Sequence, residues 1–125
     1  MNKIDVVKIR CKREMDDFIR LPYLIYQGCP QYVPDMVKDV RNLFDRHKNP
    51  AYEFSQIQPF VAYCNEVPVG RIVGIINRKA NEKWKTRNVR FSMIEFVDDP
   101  SVSKALIDVV CKWGLSLGMD TIQGP

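Results

Sequence analysis

Residues 67–78 read V-P-V-G-R-I-V-G-I-I-N-R. The run is apolar enough for a buried strand. Yet it carries Gly70 and Gly74, each of which weakens a strand, and sets Arg71 between them. Strand alternation places Gly70, Ile72, Gly74 and Ile76 on one face and Val69, Arg71, Val73 and Ile75 on the other. Two glycines on one face let something approach the backbone closely: a helix packed on the sheet, or a ligand. Helix-on-sheet packing is the structural reading, and a ligand contact stays open for Arg71. A buried arginine needs an anion, and a neighbouring carboxylate is the nearest source.

The flanks of this stretch extend it into a sheet. Upstream, P-F-V-A-Y-C (59–64) is a strand and N-E-V-P a turn, which together with 67–77 signal a hairpin. Downstream, N-V-R-F-S-M-I-E-F-V (88–97) is a third strand, expected antiparallel to 67–77 on its other side. D-D-P-S then opens a helix, with Asp99 as N-cap and Pro100 at the first helical position. Val102, Ala105, Leu106, Val109, Val110, Trp113 and Leu117 recur at helical spacing, so a helix over 100–117 should cover the sheet and end at Gly118. D-T-I-Q-G-P begins a last strand.

Toward the N-terminus, Val6–Arg10 is a short strand. A helix from Lys12 is marked by Met15, Phe18, Ile19 and Tyr26. Pro22 should kink it or start a new helix, and Gly28 and Pro30 close it. A second helix over 35–46 places Met36, Val37, Val40, Leu43 and Phe44 on one side. The order β-α-α-β-β-β-α-β describes an α+β fold, with a mostly antiparallel sheet and helices packed on its faces.

The 125 residues fit one domain, 1–125, and 46% hydrophobic content is ample for its core. No apolar stretch approaches the ~20 residues that cross a bilayer, so no membrane partner is expected. The N-terminus is too charged for a signal peptide, and the chain reads as cytoplasmic. Cys11, Cys29, Cys64 and Cys111 lie far apart and form no C-x-x-C pair, which points to idle or buried thiols. His47 is the single histidine and sits in a polar loop, so a His-rich metal centre is excluded and no metal is expected. Residues 71–90 hold seven Lys and Arg against Glu82, a net +6 that leaves −2 for the rest of the chain. With Trp84 among them, these residues suit phosphates or a stacked base. The plainer reading is a solvated connection between strands, and nucleic acid is not the expected partner.

The chain resembles the N-terminal part of the GNAT fold, the acyl-CoA N-acyltransferase superfamily, and within it a group of poorly characterised bacterial GNAT-like proteins. The resemblance is carried by F-I-R-L-P-Y-L-I-Y (18–26), Y-V-P-D (32–35), residues 60–77, F-S-M-I-E-F-V-D-D (91–99) and W-G-L-S-L-G-M-D-T-I-Q-G-P (113–125). It implies a chain truncated after the fifth strand, the first part of an acyl-CoA-dependent N-acyltransferase that is inactive as this fragment. It implies acyl-CoA or acetyl-CoA as co-substrate, held where the fourth strand splays from the fifth, with a small-molecule acyl acceptor of unknown identity. The pyrophosphate would meet the start of the following helix, at Val97, Ser101, Val102, Ser103 and Lys104. The family's loop there is [Q/R]-x-x-G-x-[G/A], whereas this chain has D-D-P-S-V-S-K.

Glu95 is the candidate catalytic base. It is expected to share a face of the fourth strand with Phe91, Met93 and Val97, and to take a proton from an amine. The alternative is a structural Glu95 paired with Arg71 or Arg90. Tyr23, Tyr26 and Tyr63 are possible general acids that nothing in the sequence tells apart. Against the enzyme stands a second class, a non-catalytic GNAT-derived module for ligand binding or oligomerisation. An incomplete sheet implies self-association, most simply a homodimer through residues 113–125 or through the first two helices, with Tyr23, Leu24 and Tyr26 as anchors.

Overall fold

The computed structural model describes residues 3–26 and 37–124, without the side chains of 37–39. The elements are β1 (Ile4–Lys8), α1 (Lys12–Ile25), α2 (Val37–Leu43), a 3-10 turn (Pro50–Glu53), β2 (Ser55–Cys64), β3 (Val67–Asn77), α3 (Arg78–Trp84), β4 (Asn88–Phe96), α4 (Pro100–Ser116) and β5 (Thr121–Gln123). One sheet takes the strands in order β1-β2-β3-β4-β5. β3 lies between β2 and β4 and is antiparallel to both, as the hairpin signal predicts; β4 and β5 are parallel. The β2–β3 connection is a two-residue turn. Asn65 and Glu66 both have positive φ, 51° and 68°, the twist that suits two right-twisted strands.

The two faces of the sheet carry separate cores. On one, Phe60, Ala62, Ile72, Ile76 and Val89 pack with Val102, Leu106 and Val110 of α4. On the other, Val73 packs with Phe18 and Ile19 of α1 and Val40 of α2. The glycines of β3 belong to the α4 side. A Cβ built on Gly70 would stand 2.8 Å from Val102 Cγ1, and one on Gly74 would stand 2.8 Å from Trp113 Cε3. Helix-on-sheet packing therefore accounts for both glycines.

Four expectations need correction. Pro22 does not start a new helix; α1 runs through it to Ile25. Residues 78–84 are not an irregular connection but α3, capped by the Asn77 side chain accepting the Ala80 N–H and closed by Lys85 in the left-handed region. Leu43 is exposed, while Val40 and Phe44 turn to the core. Val69 packs on the α4 side, because β3 carries an extra residue where Ala62 and Tyr63 oppose Gly70 and Pro68. Gly28, Pro30, Met36 and the motif at 32–35 lie outside the described residues. No helix among the described residues is long and apolar enough to cross a membrane.

Candidate functional site

The site is built where α1 meets β3 and β4. Pro22 has no N–H to give to the carbonyl of Phe18, one turn earlier, so that carbonyl is left without its helical donor. Arg71 supplies the replacement: Nη1 donates to Phe18 O at 3.0 Å. Its Nε donates to Met93 O at 3.2 Å, and the guanidinium lies 4.8 Å over the Phe18 ring. Arg71 is 5% exposed. Where a carboxylate was expected to compensate it, main-chain carbonyls of α1 and β4 take two of its donors.

Met93 itself is the second irregularity. It has φ 53°, and β4 carries one residue more than β3 between the pairs Arg71–Glu95 and Val73–Ser92. Such a bulge shifts the alternation of everything after it. Phe91 stands opposite Gly74 on the α4 side, whereas Glu95 stands opposite Arg71 on the α1 side. The expected shared face of Glu95 with Phe91 and Val97 is thus overturned. Val97, like Phe91, packs with the α4 core, and Met93 with the α1 core.

Glu95 is half-buried, and its Oε2 accepts a 2.7 Å hydrogen bond from the Tyr26 hydroxyl at the end of α1. Among the described residues Oε1 accepts none. The ion pairs within 4.0 Å among the described residues are Lys3–Asp5 and Arg41–Asp16. Of the three candidate tyrosines, Tyr26 is the one joined to Glu95. The Tyr63 hydroxyl donates instead to Asp17 Oδ2 at 2.6 Å. Burial and that carboxylate push Tyr63 well above the usual tyrosine pKa, so it holds its proton.

The corner between β4 and α4 is arranged differently from an open phosphate cradle. The Asp99 side chain accepts both the N–H of Ser101, at 2.9 Å, and its hydroxyl, at 2.7 Å. Those bonds, the hydroxyl's first, hold the Asp99 carboxyl below the usual aspartate pKa. Val102 N–H is taken by Asp99 O, and the Ser103 hydroxyl by Pro100 O. Pro100 has no N–H. Val102 is buried against Gly70, Val97 donates its N–H to Val69 O, and Lys104 is exposed. The backbone N–H groups of Ser101 and Val102 thus already have partners, and Asp98 adds a second carboxylate beside Asp99. β5 pairs with β4 only over Asn88–Arg90, so β4 runs on through Phe96 beyond that pairing.

Other concave regions lie elsewhere. A cleft of about 530 Å³ is lined by Asp5, Arg13, Glu14, Asp17, Tyr63 and Glu66, and one of about 480 Å³ lies between β1 and α4, by Lys8, Phe60 and Trp113. Neither reaches Glu95. Among the described residues no group of three metal-ligating side chains gathers, and Cys11, Cys64 and Cys111 are free thiols.

No family model matches the chain. It is 32% identical over 114 residues to Protein YghO of Escherichia coli, covering 91% of this chain and 29% of that protein. It is 24% identical over 123 residues to a bacterial ceramide synthase of Caulobacter vibrioides, covering 98% and 32%. The chain thus spans about a third of the length of these curated relatives. Among solved structures, a tandem GNAT protein from the clavulanic acid biosynthesis pathway superposes with TM-score 0.75 at 12% identity, covering 98% of this chain and 36% of that one. FeeM, an N-acyl amino acid synthase from uncultured soil microbes, gives 0.64 at 15%, covering 98% and 71%. AAC(6')-Iy, bound to a bisubstrate analogue of CoA and acetylneamine, gives 0.63 at 16%, covering 98% and 79%. This chain therefore has the GNAT fold, the fold of the acyl-CoA N-acyltransferases.

Proposed function

We propose that the chain is the N-terminal part of an N-acyltransferase that moves an acyl group from a thioester donor, acyl-CoA, to a small amine. The observation that carries this is the Tyr26–Glu95 pair at the β4 bulge, a half-buried carboxylate with one oxygen held and the other open among the described residues. Glu95 takes a proton from the acceptor's ammonium. The amine nitrogen then bonds to the acyl carbon, the carbon–sulfur bond breaks, and the thiol leaves with a proton. Tyr26 is a positioning residue that fixes the carboxylate. The names of the ceramide synthase and of the N-acyl amino acid synthase support N-acylation of an amine.

In the whole enzyme, Glu95→Gln is expected to lower thiol release by about a hundredfold or more with the melting temperature held, the scale of lost general-base catalysis. Tyr26→Phe should lower kcat about fivefold with KM unchanged. A Glu95→Gln enzyme that melts lower but keeps its rate removes Glu95 from the site.

A second reading has its own support: the Asp99 cap already occupies the helix start where phosphates would bind. In that case the chain is a non-catalytic ligand or oligomerisation module. Calorimetry of the chain with acetyl-CoA and with a long-chain acyl-CoA separates the two. Heat with either favours the transferase, and none with both favours the module. Tyr23 and Leu24 stand exposed on α1 and suit a homodimer contact, which sedimentation at micromolar concentration tests.

A further inference from the structure

The edge strand β1 and the helix α4 enclose a groove of about 480 Å³, on the side of the sheet opposite Glu95. Register builds its walls. Val6 and Lys8 stand opposite Ala62 and Phe60, which both pack with α4, so these two side chains of β1 fall on the α4 face. Across from them, Val109, Lys112, Trp113 and Ser116 are spaced i, i+3, i+4 and i+7, one stripe of the helix. Both rows line the same concavity, together with Phe60. The floor is apolar and fixed. Trp113 packs on the backbone at Gly74 and meets Phe60 edge-on, with ring centroids 6.3 Å apart at 77°.

The rim is cationic. Lys8 and Arg10 stand exposed on the strand side and Lys112 on the helix side. Among the described residues none of these three side chains is in an ion pair. Glu14 is the one acid of the lining, and its Oε1 accepts the Arg10 N–H at 2.8 Å. Asp108, one turn before Lys112, does not line the groove. Positive charge is therefore in surplus around an apolar floor. A bare anion would leave the rings and valines wet, and a neutral hydrocarbon would leave the cations unanswered. An apolar body with one anionic head satisfies both. The edge-on rings and the two valines form no flat slot for a planar ring, so a flexible chain suits the floor better. The volume lies within the range of about 300–1,000 Å³ that small-molecule sites occupy.

We propose that this groove binds a single-chain amphipathic anion, an alkyl chain ending in a carboxylate or a phosphate. The test uses tryptophan emission. The protein has two tryptophans, Trp84 and Trp113, so Trp84→Phe leaves Trp113 as a reporter in the floor. Trp84 is 70% exposed and lies outside the lining, so this change should leave the fold intact. Titration with decanoate or decyl phosphate, below micelle formation, should shift the Trp113 emission saturably. The tighter of the two identifies the head group. Decanol has the same tail without the charge and should bind about tenfold or more weakly, while acetate should leave the emission unchanged. In the same background, Lys8→Glu with Lys112→Glu should weaken the anions about tenfold or more and leave decanol as it was. Both positions are exposed, so circular dichroism should stay unchanged. Equal affinity for decanol and the anions overturns the proposal, and so does the lack of any saturable shift. A double variant that holds the anions as tightly as its parent overturns it too. An emission shift that follows protein concentration alone, with no response to the anions, would assign the groove to a second copy of the chain instead.

Discussion

The two faces of β3 solve opposite problems with adjacent residues. Under α4, Gly70 and Gly74 remove side chains so that Val102 and Trp113 can sit on the backbone. Under α1, Arg71 adds the longest cation available and spends its donors on carbonyls that a proline and a bulge have left open. One face is specified by shape alone, the other by hydrogen bonding. The difference teaches that a buried charge in a strand can act as a repair for irregular backbone on both neighbours.

The largest expected effect falls on the repaired face. Arg71→Met leaves Phe18 O and Met93 O without that donor, at a cost of about 3 kcal/mol in urea unfolding, since buried acceptors that lose a partner cost 1–3 kcal/mol each. Gly74→Val should cost about 2 kcal/mol by forcing Trp113 off the strand. If the valine proves the costlier of the two, shape rather than hydrogen bonding is the stricter constraint, and the contrast fails. Pro22→Ala sharpens it further. Alone it should change little. Combined with Arg71→Met it restores a helical N–H to Phe18 O and should recover about 1 kcal/mol, a coupling that a double-mutant cycle reads directly.

The smallest effect belongs to the start of α4. Asp99→Ala removes the cap on Ser101 and should lower the melting temperature slightly. Because the folded pKa of Asp99 lies below its ordinary value, the cap's contribution is present above the ordinary aspartate value of about 3.9. It is lost as pH falls through the lower, folded value. Melting curves of the two proteins should therefore converge in acid. A gap that is unchanged there would assign the cap's effect to something other than the carboxylate.

The hairpin, the position of β3 and the α4 stripe were legible because apolar period and turn residues act locally. α3 was not, since seven residues give too few turns for a period, although Asn77 before R-K-A-N-E-K-W was a usable cap signal. Of the candidate site, Glu95 was legible as a carboxylate within a strand. Its face was not, because the Met93 bulge leaves no composition cue: methionine is an unusual residue at positive φ. The Tyr26 partner depends on α1 running through Pro22, where a proline rule applied locally leaves a kink and a new helix both open. One clue was available. Phe18 and Pro22, four apart in a helix, leave a carbonyl that a buried arginine can claim.

The bulge also governs how this strand is to be compared with others. Residues before Met93 count in one phase and residues after it in the other. A related sequence with a plain strand at this point therefore matches β4 only with a one-residue gap near Met93. Aligned without the gap, its inward and outward positions exchange from Ile94 onward, and a residue facing α4 falls beneath Glu95. Deleting Met93 makes that gap in the protein itself and removes the bulge. The shortened strand can then pair plainly with β3, with Ile94 and Phe96 on the α4 side and Glu95 still opposite Arg71 beside the tyrosine of α1.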